Sequence, residues 1–197
     1  MFRLRILFYI VLTAMFFAVT FTACKNSASE KNDLTHADKV ARGEFLVTFG
    51  GCGDCHTPKV FTPQGPIPDT SRLLSGSPSI TQISEVDEKL VQPGKWILFT
   101  QDITAAVGPW GATFAANLTP DIETGIGSWN EEMFINALRS GKHLGAGRPI
   151  MPPMPWELIG KHSDEDLKAM FSYLKSLKPI KNKVPDYMPP DKVFSHK

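Results

Sequence analysis

Hydrophobic residues are unevenly spread along the chain. Ile6–Ala23 holds no charged residue and follows Arg3 and Arg5, whereas Lys25–Asp33 is polar and small. From His36 to Phe49 the sequence HADKVARGEFLVTF predicts a helix with Val40, Gly43, Phe45, Leu46 and Val47 on its buried side, broken by Gly50-Gly51. Residues 57–116 are punctuated by Thr57-Pro58, Gly65-Pro66, Ser77-Pro78, Pro93-Gly94 and Gly108-Pro109, and only Lys95–Thr100 (KWILFT) has strand character. So long an irregular stretch argues against a compact domain unless it wraps a large buried group that supplies the missing core. Two helices follow. Ser128-Trp129-Asn130-Glu131 reads as a capping box ahead of Met133, Phe134, Ala137 and Leu138, with Gly141 as the stop. Ser163 and Asp164–Asp166 open the second, in which Leu167, Met170, Phe171, Leu174 and Leu177 recur at helical spacing up to Lys178-Pro179. Beyond it, KNKVPDYMPPDKVFSHK is proline-broken and is expected to lie across the surface. The chain shows no internal repeat.

The basic start, the uncharged run and the small residues Thr22-Ala23 before Cys24 make an export-signal pattern. Residues 1–23 are therefore expected to be a signal peptide and 24–35 a flexible tether. The Phe-Thr-Ala-Cys sequence resembles the lipobox of bacterial lipoproteins, which implies that Cys24 receives lipid and becomes the mature N-terminus. An uncleaved signal anchor is the alternative. Both place the folded body in the bacterial cell envelope, outside the cytoplasm and tied to a membrane. The 197 residues suit one domain, and a 42% hydrophobic share with 16 prolines indicates a globular body rich in loops. The net charge of +1 loses two arginines and no acids with residues 1–23. Near neutrality offers no basic face for nucleic acid and only weak long-range steering of charged partners.

The candidate chemistry lies in GGCGDCHTPK, residues 51–60, where Cys52, Cys55 and His56 sit together. A structural zinc site needs four ligands, and no further cysteine exists beyond Cys24, while His36, His143, His162 and His196 are scattered. A thioredoxin-like dithiol needs alternating strands and helices around it. A plain disulfide leaves His56 without a role. Covalent haem explains every residue: two thiols on one turn reach two porphyrin vinyl groups, and His56 is carried beneath the iron. The cysteine count then closes, with Cys24 for lipid and Cys52 and Cys55 for one haem c.

The chain resembles the class I cytochrome c family, and in particular the cytochrome modules of bacterial periplasmic dehydrogenases. The likeness rests on GEFLVTFGGCGDCHTPK, FAANLTPDIETGIGSW and PPMPWELIGKHSDEDLKAMFSYLKSLKPIKNKVP, and spans most of residues 36–184. It implies a mainly α, cytochrome c-like fold: a few helices around one haem, with 57–116 as a long irregular insertion and 185–197 as a tail. It also implies that Gly43 with Phe45 or Leu46 crosses Met170, Tyr173 or Leu174.

A second axial ligand is sought among the methionines. Met133 and Met170 lie on apolar helix faces and read as core. Met151 and Met154 sit in a proline-stiffened loop, RPIMPPMPW, and His143 is a further candidate. The family's ligand methionine precedes a proline and an aromatic residue, a pattern that Met154-Pro155-Trp156 matches. Histidine–methionine ligation raises the potential and fills both axial positions. The expected role is accordingly an electron carrier, not an enzyme, acting alone or as the carrier subunit of a dehydrogenase or oxidase, with another redox protein as partner. A peroxidase-like enzyme with an open axial site and a ligand-exchange sensor are the alternatives. Trp96, Trp110, Trp129 and Trp156 read as core, while Asn117 and Arg148 are candidates for the haem propionates, or else a turn residue and a solvated cation.

Overall fold

Thr35 starts the first helix through a reciprocal cap. Its hydroxyl accepts the Asp38 N–H and the Asp38 carboxylate accepts the Thr35 N–H, each at 3.2 Å. The computed structural model describes residues 35–194, so the export segment 1–23, Cys24 and the tether up to residue 34 lie outside the described residues. Helix α1 (His36–Phe49) buries Gly43, Leu46 and Val47, but Phe45 and Phe49 are 56% and 82% exposed and stack on each other. Phe45 is therefore not on the buried side, because 3.6 residues per turn set it about 200° around the helix from Gly43.

Gly51, at φ +65°, reverses the chain and starts α2 (Cys52–His56), which holds the whole Cys-x-x-Cys-His motif on little more than one turn. The following segment is not structureless. Strands β1 (Lys59–Thr62) and β2 (Gly65–Pro68) form an antiparallel hairpin. Strands β3 (Leu98–Phe99), β4 (Ala105–Gly108) and β5 (Gly111–Phe114) form an antiparallel sheet in that order. The KWILFT strand shrinks to Leu98–Phe99, and the other four strands carry no alternating pattern. All four residues of β4, Ala-Ala-Val-Gly, are buried, so the polar-out half of the usual alternation is missing.

Helix α3 (Glu131–Ser140) is capped by Asn130, whose side-chain oxygen accepts the Met133 N–H at 2.8 Å; the cap is Asn130 and not Ser128. Met133 itself is 39% exposed and does not belong to the core. Gly141, at φ +66°, ends the helix, and a Cβ there would fall 2.4 Å from the Trp156 indole. The short α4 (Trp156–Ile159) leads to α5 (Asp164–Ser176), capped by Ser163 through the Asp166 N–H. Helices α1 and α5 make the most extensive contact between elements. Leu46 and Val47 meet Leu167, Met170 and Leu174 there, and Phe134 of α3 packs its ring 5.3 Å from Phe171.

A second apolar cluster combines the sheet with the chain's last described residues. Val91, Val107, Ala112 and Val193 of α6 (Pro190–Val193) form it. Met188 and Ala112 exchange backbone hydrogen bonds at 2.8 and 3.0 Å, and the Tyr187 hydroxyl donates to the Trp110 carbonyl at 2.6 Å. The tail thus packs into the body instead of lying across its surface. Trp96, in contrast, is 68% exposed and is not core. Among the described residues, no helix is long and apolar enough to cross a membrane.

Candidate functional site

A cavity of about 480 Å³ opens between α2, β4–β5, α3, the loop from 147 to 155 and the tail. That is within the roughly 300–1,000 Å³ of ligand and cofactor sites, and its wall is mostly apolar with a few polar groups. Cys52, Cys55 and His56 lie on it, and so do both methionines of the proline-rich loop. Ala105, Ala106, Ala115 and Ala116 flatten the wall from the insertion side. The insertion therefore both lines the cavity and builds a second small core together with the tail. Clustered alanines between Thr104 and Asn117 were the one sequence signal of that wall.

The histidine is the most constrained group. His56 is buried, and its Nδ1 lies 2.7 Å from the Ala116 carbonyl oxygen. A carbonyl only accepts, so Nδ1 carries the proton and Nε2 keeps its lone pair. Burial pushes the imidazole below its usual range, and the Ala116 carbonyl pulls only partly back, so the ring is neutral near pH 7. A neutral, oriented imidazole with an unpartnered Nε2 is what a metal ligand requires. The two cysteines are unpaired and half-buried. Burial pushes both thiols up, with Asp54 adding to the effect at Cys55 and a backbone hydrogen bond opposing it at Cys52. Both are neutral thiols on one turn, facing the same cavity as His56.

The methionine loop is anchored at several points. The Ile150 N–H donates to the Gly141 carbonyl at 2.7 Å, and the Trp156 N–H donates to the Met154 carbonyl at 2.9 Å. Met154 and Met151 are both half-buried on the cavity wall, and Met154 also packs against the main core. His143 lines the cavity too, edge-on to Trp129 with ring centroids 5.0 Å apart. Its burial, and then Arg148 nearby, push its imidazole down. Arg148 is exposed at the cavity edge, and its guanidinium has no hydrogen-bond or ion-pair partner among the described residues. The group set fits haem c: two thiols, the free Nε2 of His56, the His143 ring and two thioethers share one mostly apolar cavity. Among the described residues, no three His, Cys, Asp or Glu side chains come together as a metal cluster.

Asn117 behaves as a latch. Its amide nitrogen donates to the Ile180 carbonyl at 2.8 Å and to Thr124 Oγ1 at 3.1 Å. Its oxygen accepts from the Thr119 N–H at 3.0 Å and the Thr119 hydroxyl at 2.7 Å. With donors and acceptor occupied, it suits the turn reading and not a propionate contact. Asn117→Ala leaves several buried groups unpaired and is expected to cost roughly 2–4 kcal/mol in denaturant unfolding, with the reduction potential little changed. A potential that moves while stability holds would assign Asn117 to the cofactor instead.

No family model matches the chain. The chain is similar to the cytochrome c subunit of a quinone-dependent alcohol dehydrogenase from Gluconobacter oxydans, 30% identical over 132 residues, which is 58% of this chain and 27% of that protein. It is 28% identical over 146 residues to the gluconate 2-dehydrogenase cytochrome c subunit of Pantoea cypripedii, covering 74% of this chain and 25% of the relative. The fructose dehydrogenase cytochrome subunit of Gluconobacter japonicus is 25% identical over 146 residues, 74% of this chain and 23% of that protein. The chain thus spans about a quarter of the length of these relatives. Their similarity supports a cytochrome c module, since all three are cytochrome subunits.

Proposed function

We propose that this chain is a mono-haem c-type cytochrome, exported and tethered to the bacterial envelope through lipid on Cys24, that passes single electrons between redox proteins. Cys52 and Cys55 would hold the haem through their sulfurs, and His56 Nε2 and Met154 would bind its iron. The observation that carries the reading is the His56 ring, buried on the cavity wall with Nδ1 bound to Ala116 and its other nitrogen unpartnered beside both thiols. When bound, haem c supplies a one-electron ferric/ferrous couple. The protein's part is to exclude water, hold both axial ligands and keep the ring from binding anything else. With His56 and Met154 both on the iron, no coordination position would remain for substrate, so the chain would carry charge and do no bond chemistry. Its relatives are cytochrome subunits of alcohol, gluconate and fructose dehydrogenases, which makes a dehydrogenase the favoured electron donor here. A small, transient interface suits such exchange.

Absorption spectra of the purified oxidised and reduced protein test the reading. The expected result is a c-type reduced spectrum with one haem per chain, resistant to acid acetone, and slow cyanide binding at neutral pH. Colourless native protein or extractable haem overturns it. Fast cyanide binding moves the chain to the peroxidase-like alternative.

A further inference from the structure

The methionine turn is held from the insertion. The Met154 N–H approaches the Met151 carbonyl at 3.4 Å, so Met151-Pro152-Pro153-Met154 closes as one four-residue turn. The Met151 and Met154 carbonyls accept from amides within the loop, but the Pro152 carbonyl does not. The Thr113 hydroxyl of β5 donates to it at 2.9 Å; the same hydroxyl lies 3.4 Å from the Ala106 carbonyl, a longer and weaker alternative. Thr113 also lines the cavity. The hairpin that presents it is fixed in turn. Ala112, its neighbour, exchanges two backbone hydrogen bonds with Met188, and a Cβ at Gly111 would sit 2.1 Å from the Met188 carbonyl oxygen. Tail, hairpin and methionine turn are therefore connected by hydrogen bonds through successive residues of β5.

We infer that Thr113 is a positioning residue for the axial methionine: by holding the Pro152 carbonyl it fixes the turn that carries Met151 and Met154, and so sets the strength of the sulfur–iron bond. The inference rests on the methionine ligation proposed above and adds a function for the insertion, which steadies the sixth ligand from outside the helical core. Proline at 152 and 153 limits backbone rotation, so the remaining freedom is rigid-body motion of the turn, and a hydrogen bond at its apex acts on that motion.

The test compares full-length holoprotein with Thr113→Val, which keeps the branched shape and removes the donor, and Thr113→Ser, which keeps the donor. Three readings are taken on each: the far-red sulfur-to-iron charge-transfer absorption of the oxidised form, the midpoint potential, and the cyanide association rate. Thr113→Val is expected to weaken the absorption, lower the potential and bind cyanide about five- to tenfold faster, the effect of losing one hydrogen bond. Thr113→Ser is expected to match the parent. Thr113→Ala carries the same comparison if valine prevents folding. Absence of the far-red absorption in the parent overturns methionine ligation itself. Its presence in the parent together with unchanged values in Thr113→Val, or equal losses in the serine variant, overturns the role of Thr113 and leaves the ligation standing.

Discussion

Gly43→Val is expected to yield little folded, haem-loaded protein. A Cβ at this position would lie 1.9 Å from the Ala169 carbonyl oxygen, 2.5 Å from its carbonyl carbon and 2.8 Å from Tyr173 Cβ. Two of these are backbone atoms in the middle of α5, so neither can swing aside. The helices would have to part by an ångström or more, and the contacts of Leu46 and Val47 with Leu167, Met170 and Leu174 would be lost together. Overpacking of this kind costs about 3 kcal/mol or more, and the lost contacts add to it, against a total stability of roughly 5–15 kcal/mol. Gly53→Ala is the informative contrast. It falls inside the Cys-x-x-Cys-His turn, yet its Cβ would meet nothing closer than Thr57 Oγ1 at 3.6 Å. It is expected to leave stability within about 1 kcal/mol of the parent. Denaturant midpoints of the two variants check the pair, and a Gly43→Val midpoint close to the parent would mean that the crossing is not tight.

Met154→Ala is expected to have the largest effect on function. It should lower the midpoint potential by a sizeable part of the roughly 0.8 V that axial ligands span, remove the far-red sulfur absorption and open the protein to cyanide. The haem should stay attached, because Cys52 and Cys55 are untouched. Met151→Ala should do none of this. Both side chains line the cavity, so the assignment between them rests on the Met-Pro-Trp pattern and on the packing of Met154 against the main core. That packing restricts the side chain's freedom before any ligand binds, and a restricted ligand loses less entropy on coordination. If the two variants exchange behaviours, Met151 is the ligand.

Helical parts of the chain were legible because their signals are local. The His36–Phe49 limits follow from a breaker at Gly50-Gly51, and the last long helix from a serine cap and a regular apolar stripe. The Cys-x-x-Cys-His turn is likewise written in five adjacent residues, and both methionines proposed from the loop do reach the cavity. Non-local features were not legible. The strands between residues 59 and 114 are two to four residues long, carry glycine, proline and alanine, and depend on partners far along the chain, such as Met188. Phe45 and Met133 were misplaced for a related reason: an apolar residue on a short helix tells nothing of its face unless the neighbours' angles are followed. Thr113 carries no motif at all, since its importance comes only from the Pro152 carbonyl that the fold brings to it.

The two apolar clusters also divide the molecule dynamically. The smaller draws only on residues 83–114 and 188–194, whereas the helical cluster contains α1, α3 and α5. Local opening of the smaller patch therefore leaves the helical cluster standing, and with it Cys52 and Met154, which both pack against that cluster. What such an opening would loosen first is the hairpin that carries Thr113, because its neighbours Ala112 and Phe114 belong to the smaller patch.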